Sequence, residues 1–249
     1  MMRIEGRALP AVRHAATTLL LALATVAGAA AQQPYDILLR GARVLDGTGN
    51  PWYEADVAIR GDRIAGIGDL GDARAAVIVD ATGLFVAPGF IDAHSHAGGS
   101  LADPELSAAA PLLMQGITTV FVNPDGGGPV DLVEQRREIE AARPGVNVAL
   151  LVPHGSVRGE VLGMADRAPD AAELERMRQL VRAGMEAGAF GLSSGPFYAP
   201  GSYAKTDELI ELARIASEYG GAYTSHIRDE SDYTIGVVAA VDEVIQVAR

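Results

Sequence analysis

From residue 86 onward, short apolar runs alternate with helix-like segments, and this alternation most narrows what the chain can fold into. The strand-like runs span residues 86–93, 117–122, 147–153, 190–193 and 222–225. They are almost wholly apolar, as expected of parallel strands buried on both faces. The intervening segments carry helix signals. Asp170 and Glu173 have the spacing of a capping box, and Leu174, Met177, Val181 and Met185 repeat at helical spacing behind them. Thr206 is expected to cap a further helix with the stripe Leu209, Leu212 and Ala216, and Gly220 is its expected stop. The later strands start about 30 residues apart, the length of one strand-plus-helix unit, so the expectation is a parallel α/β fold.

Five such units are found. A closed (β/α)8 barrel needs eight strands and about 250 residues, more than residues 86–249 supply. The choices are an open five-stranded sheet or a truncated barrel, and truncation is favoured. The last predicted helix carries Ile235, Val238, Val241 and Ile245 and runs to Arg249 with no stop signal. Residues 32–85 read differently: short runs alternate and are broken by turns at 46–51 and 61–62, which predicts a small antiparallel unit continued by residues 77–79 and 84–86.

Residues 1–31 read as a secretory signal peptide. Arg3, Arg7 and Arg13 precede the apolar run 15–27, and Ala29-Ala30-Ala31 fits a cleavage site. The run is shorter than the roughly 20 residues a membrane span needs, so no stable membrane anchor is expected, and the implied location is periplasmic or secreted. There is no cysteine, which removes thiolates as nucleophiles or ligands. The net charge of −12, with no long Lys/Arg run, argues against nucleic-acid binding. With 49% hydrophobic residues, the chain has enough apolar material for a sizeable core.

The chemistry-bearing residues fall at strand ends. His94 and His96, two of only five histidines, are spaced i, i+2, which on a strand puts both on one face. Neutral imidazoles so placed suit zinc. Asp125 follows the second strand in Asn123-Pro-Asp-Gly-Gly-Gly128, His154 follows the third, Ser193 and Ser194 close the fourth, and His226 closes the fifth. Barrel enzymes collect catalytic groups from the ends of several strands. Bland alternatives exist. Asp125 has turn chemistry, since Asp-Gly is a common turn pair. His154 has the look of a core histidine. The serines suit strand-end hydrogen bonding better than nucleophilic attack, because no G-x-S-x-G elbow surrounds them. Arg228, Asp229 and Glu230 are either supports for a ligand or a surface ion-pair cluster.

On these residues the chain resembles the amidohydrolase superfamily, and within it the D-aminoacylase (N-acyl-D-amino-acid deacylase) branch. Pro88-Gly-Phe-Ile-Asp-Ala-His-Ser-His96 carries the superfamily resemblance. Gly116-Ile-Thr-Thr-Val120, His154 with Arg158, Gly191-Leu-Ser-Ser-Gly195 with Tyr198, and Ser225-His-Ile-Arg-Asp-Glu230 carry the branch. The resemblance implies the first five units of a metal-dependent (β/α)8 (TIM) barrel over residues 86–249, and a small β-sandwich part over 32–85. It implies one or two zinc ions. His94 and His96 would hold the more exposed ion and His226 the other, with Asp125 where the branch has a metal-bridging cysteine. It gives His154, Arg158 and Tyr198 to a small N-acylated amino acid or peptide-like substrate. The general base of the family is expected beyond residue 249. The implied activity is deacylation of N-acyl-D-amino acids. The alternatives are an exported dipeptidase, a cyclic-amide amidohydrolase, or an inactive metal-binding fragment.

Overall fold

The computed structural model describes residues 35–249. The expected leader therefore lies outside the described residues. Two compact units divide at Pro88/Gly89.

The first unit is one mixed sheet. Strand β1 (Tyr35–Val44) is flanked on one side by β2 (Tyr53–Arg60), and β2 by β3 (Arg63–Gly68), all antiparallel. On its other side β1 carries β4 (Ala75–Asp80) and, further along, β5 (Phe85–Val86), both parallel to it. The expectation of a wholly antiparallel unit is corrected here. The chain leaves β3 and crosses to the free edge of β1, where parallel pairing is what remains. Leu38, Ala42, Val44, Ala55, Val57 and Ala58 are buried. Gly41 marks an irregularity in β1, in a left-handed conformation (φ 65°) that a side chain would resist. β4 leaves Val77, Ile78 and Val79 exposed.

The apolar run 86–93 splits at Pro88-Gly89. Val86 pairs with Val44 in the first sheet, and the parallel system begins at β6 (Phe90–Asp92). Then follow α1 (Gly98–Leu101), α2 (Ala110–Leu113), β7 (Ile117–Val122), α3 (Leu132–Ala142), β8 (Asn147–Leu150) and β9 (Val152–Pro153). After these come α4 (His154–Leu162), α5 (Ala171–Glu186), β10 (Gly191–Ser194), α6 (Thr206–Glu218), β11 (Ala222–Ser225) and α7 (Val237–Val247). All these strand pairings are parallel and follow chain order: β6–β7, β7–β8, β9–β10, β10–β11. β8 and β9 are one strand interrupted at Leu151, whose N–H bonds Val122 O. The α/β alternation read from the sequence is thus the observed order.

Local signals explain the helices. At α5, Asp170 accepts from the Ala172 and Glu173 N–H groups, and Glu173 reaches back to the Asp170 N–H, so the capping box is complete. Met177, Val181 and Met185 bury beneath it with Leu192, Leu209 and Leu212. Gly220 (φ 72°) follows the end of α6 as expected. Two expectations are corrected. Thr206 is not an N-cap, because its hydroxyl donates to Glu243 (2.8 Å) and Lys205 takes the cap position with no side-chain bond. In α7 the apolar stripe is not the buried face: Val238 is 73% exposed, while Ala240, Glu243 and Val247 are buried. Glu243 is turned inward by Arg228, which contacts it through two hydrogen bonds (2.8 and 2.9 Å).

Candidate metal centre

The C-terminal ends of β6, β7 and β11 bring the candidate ligands together. β6 stops at Asp92, whose carboxylate accepts the His94 N–H. Ser95 N–H bonds Phe121 O beside β7, so alternation continues past the strand. Ser95 is buried, while His94 and His96 emerge on the same side. Both imidazoles reach one carboxylate: His94 Nε2 is 3.2 Å from Asp125 Oδ1, and His96 Nε2 is 3.2 Å from Asp125 Oδ2. The three offered ligand atoms lie within 4.8 Å of one another.

Asp125 is the least exposed member of this group, 13% exposed against 50% and 71% for the two histidines. Its Oδ1 is buried and has no hydrogen-bond partner, although an imidazole nitrogen is near. A buried carboxylate oxygen left without a donor demands an explanation. Neutral nitrogen and carboxylate oxygen lone pairs converging on one point are the donor set zinc takes. The residues therefore fit a metal ion. His226 stands at the edge of the group, with Nδ1 3.6 Å from Asp125 Oδ1 and 3.4 Å from Tyr198 Oη. Its other nitrogen is 3.2 Å from Glu230.

The loop carrying Asp125 is tightly enclosed by glycines. A Cβ on Gly195 would lie 2.1 Å from the Asp125 carbonyl oxygen, and one on Gly155 would lie 2.9 Å from that of Gly126. Close backbone approach is what glycine permits and other residues do not. A cleft of about 710 Å³ opens beside the loop, lined among others by His96, Asp125, Ser156 and Tyr198. Tyr198 stacks near His226, with ring centroids 4.7 Å apart.

His154 and Arg158 are not at this cleft surface. Both are fully buried and share one carboxylate, Glu208 of α6. Arg158 also donates to the carbonyls of Ala165 (3.2 Å) and Arg167 (2.6 Å). The substrate contact expected of the pair is thus replaced, in this structure, by an internal polar cluster. Glu208 escaped sequence reading because it looks like an ordinary acidic residue in a first helical turn; its partners are some 50 positions away. Burial opposes its ionisation, but bonding and charge from His154 and Arg158 outweigh that and hold its pKa below the usual glutamate value.

The serines are bonded at the strand end, as the bland reading expects. Ser193 joins the Asp125 loop, and Ser194 bonds Tyr223 and Ser225. Behind His226, Arg228 and Asp229 are internal. Asp229 is buried and accepts from the N–H groups of Ser231, Tyr233, Thr234 and Gly236 and from the Thr234 hydroxyl. Burial works against its charge, yet these donors prevail and hold its pKa far below the ordinary range. Glu230 stays at the surface beside His226.

Parallel α/β units whose strand ends gather imidazoles and a carboxylate present a donor set suited to a metal ion. The chain belongs to the amidohydrolase family, whose model matches residues 77–245. It is 38% identical over 240 residues to a D-aminoacylase of Alcaligenes xylosoxydans xylosoxydans, covering 87% of this chain and 49% of that protein. It is 40% identical to an N-acyl-D-glutamate deacylase of the same organism, covering 88% and 48%. Among solved structures it is similar to an N-acyl-D-glutamate deacylase of Bordetella bronchiseptica held with zinc and a phosphonate inhibitor. There the TM-score is 0.79 at 38% identity, over 87% of this chain and 49% of the other. The chain spans about half the length of the curated relatives it matches.

Proposed function

We propose that the protein hydrolyses the amide bond of N-acyl-D-amino acids, releasing a carboxylic acid and a free D-amino acid. The observation that carries this reading is Asp125, a half-buried carboxylate with one buried, orphaned oxygen, set between His94 and His96 at the edge of an open cleft. The relatives support the substrate class: they are named as deacylases of D-amino acids, and one was solved with zinc.

In this reading His94, His96, Asp125 and His226 would hold zinc, which when bound would supply Lewis acidity to polarise a carbonyl and activate water. The chain's own groups do the rest. Asp125 neutralises part of the cationic charge. Tyr198, exposed beside His226, offers its hydroxyl to the substrate carboxylate. Ser156 and the glycines of the cleft wall leave room for the substrate.

The same reading takes the five parallel units as part of a (β/α)8 barrel and the mixed sheet as part of a β-sandwich. Residues 1–31 serve as an export leader, which places the protein in the periplasm or outside the cell. The supporting features are the arginines at 3, 7 and 13 and the apolar run behind them.

The test is metal analysis of the intact natural protein, together with a panel of N-acetyl-D-amino acids, their L-enantiomers, dipeptides and hydantoins. The expected result is bound zinc and turnover of the N-acyl-D-amino acids, lost on chelation and regained with zinc. Turnover confined to dipeptides or cyclic amides would refute the substrate class. Parental activity in Asp125→Ala would refute the site.

A further inference from the structure

A carboxylate that holds a metal must be delivered by a backbone that does not yield. Asp125 lies in the left-handed region (φ 58°), and so does Asn123 (φ 63°). Neither is glycine, and such conformations persist only where the surroundings over-determine them. Here the surroundings are specific side chains from other elements. Asn123 and Gln135 of α3 exchange two amide hydrogen bonds, each 2.8 Å, and both residues are buried. Asn123 Nδ2 also donates to the Leu151 carbonyl (3.0 Å), at the interruption between β8 and β9. Ser193 of β10 closes the loop from the opposite side. Its hydroxyl donates to the Asn123 carbonyl (2.6 Å) and accepts the Gly126 N–H (3.2 Å), so it brackets Asp125 along the chain. Ser193 is fully buried. With its hydroxyl committed in both senses and closed to solvent, it is not a nucleophile.

We propose that Gln135 and Ser193 are positioning residues for the metal carboxylate. They lock residues 123–126 so that Asp125 is presented to His94 and His96. The inference rests on the reading of these three residues as a zinc site. The hydrogen bonds of Gln135 and Ser193 go to Asn123 and Gly126, not to the ligand side chains, so they act on the metal through the backbone. Removing the hydrogen-bond partners of a metal ligand costs about 10- to 100-fold in affinity, and supports that hold the ligand's backbone are expected to act on the same scale.

The test uses the intact protein, with zinc affinity measured by competition against a chromophoric chelator. Cobalt substitution reports ligand geometry through its visible absorption. The variants are Ser193→Ala and Gln135→Met, with Asp125→Ala as the reference. Ser193→Ala and Gln135→Met are expected to weaken zinc binding about 10- to 100-fold and to alter the cobalt spectrum, with circular dichroism unchanged. Ser193→Thr, which keeps the hydroxyl, is expected to recover affinity. A merely structural role would lower the melting temperature and leave affinity and spectrum parental; that result overturns the proposal. If Asp125→Ala loses zinc while both positioning variants keep it, the positioning role falls and the metal site stands. If Asp125→Ala binds zinc like the parent, the metal reading falls and takes this inference with it. Should one positioning variant fail to fold, the other decides the matter, since each acts on Asn123 from a different element.

Discussion

Replacing Glu208 by alanine would strand two buried partners at once. The Glu208 side chain is 4% exposed, and those of His154 and Arg158 are fully buried. The Arg158 guanidinium could not escape to water, because its other nitrogen remains bonded to the carbonyls of Ala165 and Arg167. Removing one member of a buried ion pair costs about 3–5 kcal/mol, since the surviving charge stays buried and unpaired. Folded domains are stable by only about 5–15 kcal/mol, so Glu208→Ala should lose about a fifth of the total or more. Urea unfolding followed by far-UV circular dichroism reads this directly: the midpoint should fall while the slope holds. Glu208→Gln keeps an oxygen for Arg158 and should fall in between. The cluster also sets an acid response. Because the folded pKa of Glu208 lies below the ordinary 4.5, its contribution is complete above that value. It disappears as the pH falls through the lower, folded value. Glu208→Ala should therefore show a flatter stability profile below about pH 4.5. A Glu208→Ala protein within about 1 kcal/mol of the parent would refute the claim that this carboxylate compensates a buried guanidinium.

Other outcomes follow from the same contacts. Gly195→Ala puts a methyl group where the Asp125 carbonyl now stands at 2.1 Å, so the loop must move by about an ångström; a misplacement of that size costs about 100-fold in turnover, checked by zinc titration and a deacylation assay. Asp170→Ala removes the acceptor for two N–H groups at the start of α5 and should cost about 1 kcal/mol in urea unfolding. Glu173, hydrogen-bonded to Arg167 and to the Asp170 N–H, has its pKa drawn down to about 2 from 4.5. Its contribution is thus present above the ordinary value and lost between the two, and Glu173→Gln should remove that part of the acid titration, read by melting temperature against pH.

What was legible in the sequence was what depends on neighbours along the chain. The capping box at Asp170 and Glu173 and the spacing from Leu174 to Met185 need only residues of one helix, and α5 forms as read. The strand-then-helix alternation fixed the order of β6 to β11, because each parallel strand must be reached by a crossover. The strand-end positions were enough to gather His94, His96 and Asp125. What escaped reading depends on distant partners. The parallel placement of β4 needs knowledge of which edge of β1 is free. The inward turn of Glu243, which inverts the face of α7, needs Arg228 from the preceding loop. His154 and Arg158 carry the resemblance to the family, but their burial follows from Glu208, which no local pattern connects to them.

The graded exposure of the ligands adds a last step. Asp125 is the least exposed ligand, and its backbone is held by Ser193 on one side and by Asn123 with Gln135 on the other. His94 and His96 are half or more exposed, and their rings stand 5.4 Å apart. A site is precise when some ligands are locked by packing and further hydrogen bonds, because these set where the ion must sit. Among His94, His96 and Asp125, only the carboxylate meets that condition. The geometry therefore makes Asp125 the fixed point and the two imidazoles the adjustable arms. Disturbing the loop around residue 125 should shift the ion itself, whereas losing one exposed imidazole should loosen it in place. Cobalt spectra of Ser193→Ala and of His96→Ala separate the two: the first should shift the bands with the donor set intact, the second should change band shape through loss of an imidazole donor, with lower affinity. The same change of band shape in both would contradict this division of roles.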